Sequence, residues 1–243
     1  AEDKHFWFRS RNAVLESVVR SEIDRLSPGY RVLEVGCGTG YVLRMLHRLC
    51  SAGTVVGLDL FHEGLVLARQ RSGARLVQAR VESAPFALPF DIVGMFDTLE
   101  HVPDDLHALR HLRTLVRPGG ALLLTVPAYQ ELWSDFDVEA QHCRRYEPSM
   151  LAERLDAAGF RVDYLTPFMA SLYPIARVGR MLSDRWRRRA PTEQRSSAVF
   201  EQLSIVPVLN DLLSFALTLE SRVIARRVQL PVGTSLLALA RPR

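Results

Sequence analysis

At 243 residues, 48% hydrophobic and 24% charged, the chain suits one well-buried α/β domain with room for an elaboration, and is too apolar for a disordered protein. Its net charge of +4 is small, Lys4 is its single lysine, and nothing in it resembles a sequence-specific nucleic-acid motif, so no nucleic-acid partner is expected. Cys37, Cys50 and Cys143 are odd in number and widely spaced, which excludes a disulfide framework or a paired-cysteine metal site and fits a reducing, cytoplasmic compartment.

The chain opens AEDKHFWFRS, charged and aromatic, so no secretory signal is expected here. An amphipathic helix is predicted from about Asn12 to Leu26, with Val14, Leu15, Val18, Val19, Ile23 and Leu26 on one stripe, ended by Pro28 and Gly29. RVLEVGCGTG follows, from Arg31 to Gly40. Val32, Leu33 and Val35 read as a buried parallel strand. Gly36, Gly38 and Gly40 make a turn whose backbone a ligand can approach. Tyr41 to Leu49 reads as a helix with Thr39 as its N-cap. Strand, glycine turn and helix form a nucleotide-binding corner. A dinucleotide fingerprint is GxGxxG; here the spacing is GxGxG, and Glu34 precedes it. A carboxylate at that point repels a pyrophosphate and suits a ligand with an ammonium and a sulfonium. A second apolar run, TVVGLDL, ends in Asp59 and Leu60, and an acid there can accept both hydroxyls of a ribose.

The ExGxGxG pattern with Asp59 resembles the class I S-adenosylmethionine (SAM)-dependent methyltransferases. The resemblance implies a Rossmann-like seven-stranded sheet with helices on both faces. It implies SAM as cofactor, S-adenosylhomocysteine as product and no metal, with Glu34, Gly36, Gly38, Gly40, Asp59 and Leu60 around the cofactor. The competing reading is a tight structural turn with no ligand.

A helix is predicted over Phe61 to Arg71 and a short strand over Arg75 to Gln78. In the loop QARVESAPFALPF the family pattern expects an adenine-binding Asp where this chain has Arg80. Either Glu82 takes that role or backbone near Val81 does. Phe90 to Phe96 is a further strand. It delivers Asp97, Glu100 and His101 to the carboxyl end of the sheet, where ligands bind in open parallel folds. Asp97 is assigned to the cofactor side. The segment LEHV resembles the type 11 group of bacterial methyltransferases. His101 is a candidate general base; the alternative is that Glu100 and His101 only fix the loop. A helix from Asp104 to Val116, a turn over Arg117 to Gly120 and a strand from Ala121 to Pro127 complete this half.

The aromatic stretch AYQELWSDFDVEAQHCRRYEPSM is long for a purely structural loop. Its HxRRY-like part resembles a segment that lines the acceptor pocket in related methyltransferases. That implies His142 as a second candidate base and Trp133, Arg144, Arg145 and Tyr146 as acceptor contacts. A salt-bridged lid, with Asp135 or Asp137 satisfied by the arginines, stands as the other reading. Pro148 to Ala158 is predicted as a helix, FRVDYLTPF as the sixth strand and Thr234 to Pro242 as the last. Residues 167–233 then form a helical insertion between the last two strands, in two pieces, about Ala170 to Arg189 and Val199 to Val228. It is a cap over the site, a homodimer interface, or a peripheral membrane element using Arg185, Arg187, Arg188 and Arg189 beside Trp186. A membrane-spanning helix is not expected, because Asn210 and Asp211 interrupt the apolar run.

By the same resemblance residues 1–28 form an aromatic arm and helix over the cofactor cleft, with Trp7 and Arg9 or Arg11 against SAM or acceptor. Alternatively the aromatics only pin the helix. Residues 29–166 with 234–243 are then the SAM-binding core. The expected activity is in-line methyl transfer to a small-molecule acceptor, O-methylation favoured, with a histidine base. The alternatives are a lipid-linked or isoprenoid acceptor at the inner membrane face, and a non-catalytic SAM-binding protein.

Overall fold

The computed structural model describes residues 6–187, 217 and 219–243. The sequence places seven strands, and the sheet has seven, in the order β3-β2-β1-β4-β5-β7-β6. They are β1 (Arg31–Val35), β2 (Thr54–Asp59), β3 (Arg75–Gln78), β4 (Phe90–Phe96), β5 (Val116–Pro127), β6 (Phe160–Phe168) and β7 (Ser235–Pro242). The first five run parallel; β7 inserts antiparallel between β5 and β6. The carboxyl ends of β1, β2 and β4 therefore open on the same edge, on either side of the point where strand order reverses. That is where a parallel sheet leaves a crevice.

Both faces are covered. Helices α4 (Asp105–Leu115) and α6 (Pro148–Ala157) lay Leu109, Leu112, Leu151 and Leu155 on Leu33, Val93, Leu122 and Leu124. On the other face α1 (Phe6–Ile23), α2 (Tyr41–Leu49) and α3 (His62–Ser72) bring Leu15, Val18, Leu43 and Leu65 onto Val32, Ile92 and Leu123. Alternate residues of each central strand point to opposite faces. A strand buried on both sides reads as a near-continuous apolar run, as β4 does; its one buried acid, Asp91, accepts from Arg31 N–H and pairs with Arg117.

Several expected boundaries are corrected. α1 starts at Phe6 instead of Asn12 and stops at Ile23. Its early aromatics pack on the next helix: Phe8 meets Tyr41 of α2 edge-on at 5.9 Å. Thr39 does not cap α2; the N-cap is Gly40, left-handed at φ 80°. A Cβ on Gly40 would sit 2.7 Å from the Cα of Ala68, so close packing of α3 on the glycine turn demands glycine there. The turn expected over Arg117 to Gly120 is an excursion inside β5, since Val116 already pairs with Phe90 before pairing resumes at Ala121 with Ile92. The insertion begins after Phe168 and not at 167, because Pro167 and Phe168 pair with Leu236 and Ser235.

Of the insertion, α7 (Tyr173–Arg187) and helical residues 219–225 are described; most of the second expected helix lies outside the described residues. Leu217 and Ile224 join the core, and the carboxylate of Glu220 accepts from the backbone N–H groups of Met169 and Ala170. Among the described residues no helix is long and apolar enough to cross a membrane.

Candidate active site

The ends of β1, β2 and β4 enclose a cleft of about 390 Å³, the size of a pocket for a small ligand. Gly36, Asp59, Leu60, Val81, Glu82, Asp97 and His101 line it, as does Arg80. At Gly36 the backbone turns left-handed, φ 74°, and a Cβ would collide with the Thr98 side chain. The glycine lets β1 and the β4 turn close on each other and leaves bare backbone on the cleft.

Asp59 is buried and accepts from Gly38 N–H at 2.7 Å and Phe61 N–H at 2.8 Å. One acid thereby fixes the glycine turn and the start of α3. A carboxylate has about four acceptor directions, so two remain for a ligand's hydroxyls. Glu34 is only 2% exposed, and its Oε2 has no hydrogen-bond partner among the described residues. Burial pushes its carboxyl well up; Arg11 opposes the shift and Asp59 adds to it. A buried unpartnered carboxylate oxygen is costly, and a cationic ligand group would relieve the cost.

Arg11 of α1 reaches over the same end of the sheet. Its guanidinium donates to Asp97 Oδ2 at 2.5 Å and lies 5.0 Å from the Trp7 ring centroid and 5.5 Å from that of Phe8, within cation–π range. Asp97 itself takes a left-handed backbone, φ 47°, which turns the chain sharply after β4; its Oδ1 accepts from Thr125 Oγ1 at 3.1 Å. Where the family pattern expects an Asp, the cleft wall carries Arg80. Arg80 and Glu82 face each other at 3.7 Å, with Val81 and Glu82 in one short 3-10 turn.

Beyond Asp97, Glu100 is 1% exposed with an unpartnered Oε2. Burial drives its carboxyl well up, with Asp97 adding and Arg145 and Arg11 opposing. His101 is exposed and lines the cleft; partial desolvation by its neighbours lowers its imidazole, helped by His142 and opposed by the carbonyls of Gln141 and Ala140 and by Asp97. A neutral imidazole at neutral pH is what a general base requires. The His142 ring meets His101 at 4.8 Å between centroids. One ligand atom each from Glu100, His101 and His142 lie within 4.8 Å of one another, a set that a divalent ion could also use and that was not expected.

The HxRRY segment, which follows the short helix α5 (Asp135–Glu139), is drawn tight. Arg144 donates to the carbonyls of Val102 and Pro103 and pairs with Asp105 at 3.0 Å. Arg145 donates to Asp137 at 2.8 Å and to the Ala128 carbonyl. Tyr146 is fully buried and donates to Asp105 Oδ2 at 3.0 Å. Tyr146 as an acceptor contact is therefore corrected: no face of it is open. Trp133, Trp7, His142, Arg144 and Arg145 are not on the cleft wall, nor are Glu34, Gly38 and Gly40.

Sequence reasoning missed Phe61, Thr98, Pro103 and Gln141 on the cleft wall. Phe61 had a signal, an aromatic two residues past Asp59 at the end of β2. Gln141 had none, because its place depends on how the 128–147 segment folds back.

Residues 8–165 match the family model described as "Methyltransferase domain". The chain is 30% identical over 194 residues to the "Ubiquinone biosynthesis O-methyltransferase" of Xanthomonas campestris pv. campestris (strain B100), covering 74% of this chain and 77% of the relative. The Vibrio parahaemolyticus protein of the same name is 38% identical over 99 residues, 38% of this chain and 41% of that one. The fold matches that of an S-adenosylmethionine dependent methyltransferase from Mesorhizobium loti with a TM-score of 0.56 at 18% identity, over 99% of this chain and 100% of the other. The bent glycine turn, its two flanking acids and this breadth of similarity have one common explanation: the chain belongs to the class I SAM-dependent methyltransferases.

Proposed function

We propose that this enzyme methylates an oxygen of a small hydroxylated acceptor, with His101 as general base. The observation that carries the reading is the meeting, at one sheet edge, of a buried Glu34 whose Oε2 has no partner among the described residues and a cleft that runs from Asp59 to His101. In this reading Asp59 takes the ribose hydroxyls, Glu34 the ammonium, and the turn at Val81 and Glu82 the adenine. Arg11, steered by Asp97, is the cation offered to the methionyl carboxylate. The relatives' O-methyltransferase names favour oxygen over nitrogen or carbon. The free cysteines favour a cytoplasmic setting.

The acceptor oxygen forms its bond to the methyl carbon as the carbon–sulfur bond breaks, the electron pair going to sulfur. Alignment and water exclusion contribute several kcal/mol, by analogy with oriented intramolecular reactions (~7–11 kcal/mol at most). His101 takes the O–H proton at or before attack. Two variants test the reading. Asp59→Ala should weaken SAM binding at least ~tenfold by calorimetric titration, since a charged hydrogen-bond acceptor is lost. His101→Ala should bind SAM as the parent does, yet lose turnover of a phenol and catechol panel. In the parent the acid limb of kcat/KM should fall below the ordinary histidine value of about 6.5. Unchanged turnover in His101→Ala removes His101 as base.

A second reading, an isoprenoid-bearing acceptor met at a membrane surface, is favoured by one feature. Val178, Met181 and Leu182 of α7 are each more than half exposed, as an interfacial helix requires. Co-sedimentation with phosphatidylglycerol vesicles separates the two: no binding leaves the water-soluble acceptor.

A further inference from the structure

Behind His101 stand a second imidazole and a carboxylate. The His142 ring lies edge-on to His101 at an interplanar angle of 80°. Its Nδ1 is 2.9 Å from Asp137 Oδ1. Asp137 has no exposed side-chain surface and also accepts from Ser134 N–H at 2.7 Å, Ser134 Oγ at 2.9 Å and Arg145 Nε at 2.8 Å. Four donors use up what a carboxylate can accept. These hydrogen bonds outweigh burial and hold the Asp137 carboxyl near 2. An ionised carboxylate only accepts, so the proton of a neutral His142 sits on Nδ1 and Nε2 is left as the acceptor. The ring nitrogens of His101 and His142 that come together do so within 4.8 Å, a gap that one water spans.

We propose that Asp137 and His142 are a proton relay behind His101. Asp137 is a positioning residue that fixes the Nδ1–H tautomer of His142, and His142 receives through a bridging water the proton that His101 took from the acceptor. The proposal rests on His101 being the base. The sequence of transfers balances: acceptor O–H to His101, His101 to water, that water's own proton to His142 Nε2. The His142 side chain, 8% exposed, holds it beside Asp137 until product leaves and the proton returns through exposed His101 to solvent. The imidazolium formed at His142 faces ionised Asp137, and a cation so close discourages a second proton on His101. The charged groups that bear on His101 are Asp97 after β4 and His142 from the 128–147 segment, and Glu100 of its own turn offers a carboxylate oxygen within 4.8 Å of it. Arg145 and, from α1, Arg11 act on the neighbouring Glu100.

The test is long-range imidazole nitrogen NMR on the full chain with SAM bound, across pH 5 to 9. It needs no acceptor, so it can fail or succeed whatever the kinetics of His101→Ala say about the base. Expected in the parent is the Nδ1–H form of neutral His142, switching to Nε2–H in Asp137→Asn. His142→Asn, whose amide can still donate to Asp137, should raise the His101 midpoint by about half a pH unit or more, because the neighbouring cation is gone. If Asp137→Asn does not fold, the parent tautomer and the His142→Asn arm decide alone. An Nε2–H form in the parent overturns the proposal, as does an unmoved His101 midpoint. Saturable displacement of both imidazole signals by Mg²⁺ or Zn²⁺ also overturns it, in favour of a metal site at Glu100, His101 and His142.

Discussion

At the scale of single residues, two buried acids do opposite things with their charge. Asp59 is satisfied by backbone donors; Glu34 is not satisfied on Oε2. Burial raises the Glu34 carboxyl in the folded chain, so the folded state holds its proton more tightly than the unfolded one. The stability this uptake supplies is complete below the unfolded value of about 4.3 and is lost as pH rises through the folded value. In the ligand-free enzyme Glu34→Gln should therefore be stabilising, and its melting-temperature advantage should grow from pH 5 to pH 8. With SAM the order reverses, because the parent gains an ion pair that Gln cannot make. An advantage that does not change with pH would mean that Glu34 is not the strained acid it looks like. These acids were legible because their roles follow from chain order alone, one before the glycine turn and one ending the next strand. Asp137 was harder to single out beside Asp135, although the S-x-x-D spacing from Ser134 that forms its capping box was the available sign.

At the scale of elements, β1 and β4 fall where the sequence puts them, because a strand buried on both faces is a near-continuous apolar run; the edge strands β3 and β6 also fall there, although they are partly exposed. Helix ends were less readable. α1 begins early, where Trp7 and Phe8 make ring contacts that the apolar stripe from Val14 onward does not announce. The 128–147 segment was the least legible, since its arginines and tyrosine read equally well as pocket or as strut. For three of them the structure shows a strut: Arg144 and Tyr146 close on Asp105 and Arg145 on Asp137, which holds this segment against the start of α4. Burial raises the Tyr146 phenol, so it stays a neutral donor. Tyr146→Phe deletes one buried hydrogen bond while Asp105 keeps Arg144 at 3.0 Å and Arg154 at 3.6 Å. It should cost about 1–2 kcal/mol in urea unfolding and change the SAM dissociation constant less than about threefold, a free-energy difference of roughly 0.6 kcal/mol. A large drop in turnover at intact stability would return Tyr146 to the acceptor pocket.

At the scale of the whole molecule, the first helix and the last strand are fastened by one carboxylate. Glu22, 3% exposed, accepts from Arg227 at 3.0 Å and Arg241 at 2.5 Å. Arg241 also pairs with Asp163 of β6 at 2.8 Å, and Arg227 lies 5.3 Å from the Tyr164 ring centroid. α1 is thus anchored by its far end to β6, β7 and the close of the insertion, while its near end carries Arg11 to the cleft. Removing one member of a buried ion pair usually costs about 3–5 kcal/mol. Here both arginines keep some solvent, so Glu22→Gln should cost about 2 kcal/mol. For a chain of this size that is roughly 4–8 °C in melting temperature. SAM at about 100 times its dissociation constant adds roughly 2.7 kcal/mol to a protein that binds it only when folded. If the anchor serves stability alone, parent and Glu22→Gln should gain that same increment, and their difference should persist with ligand present. If SAM instead gives Glu22→Gln a clearly smaller gain, the anchor sets the position of Arg11. The last strand would then be energetically coupled to the cofactor cleft through the length of α1.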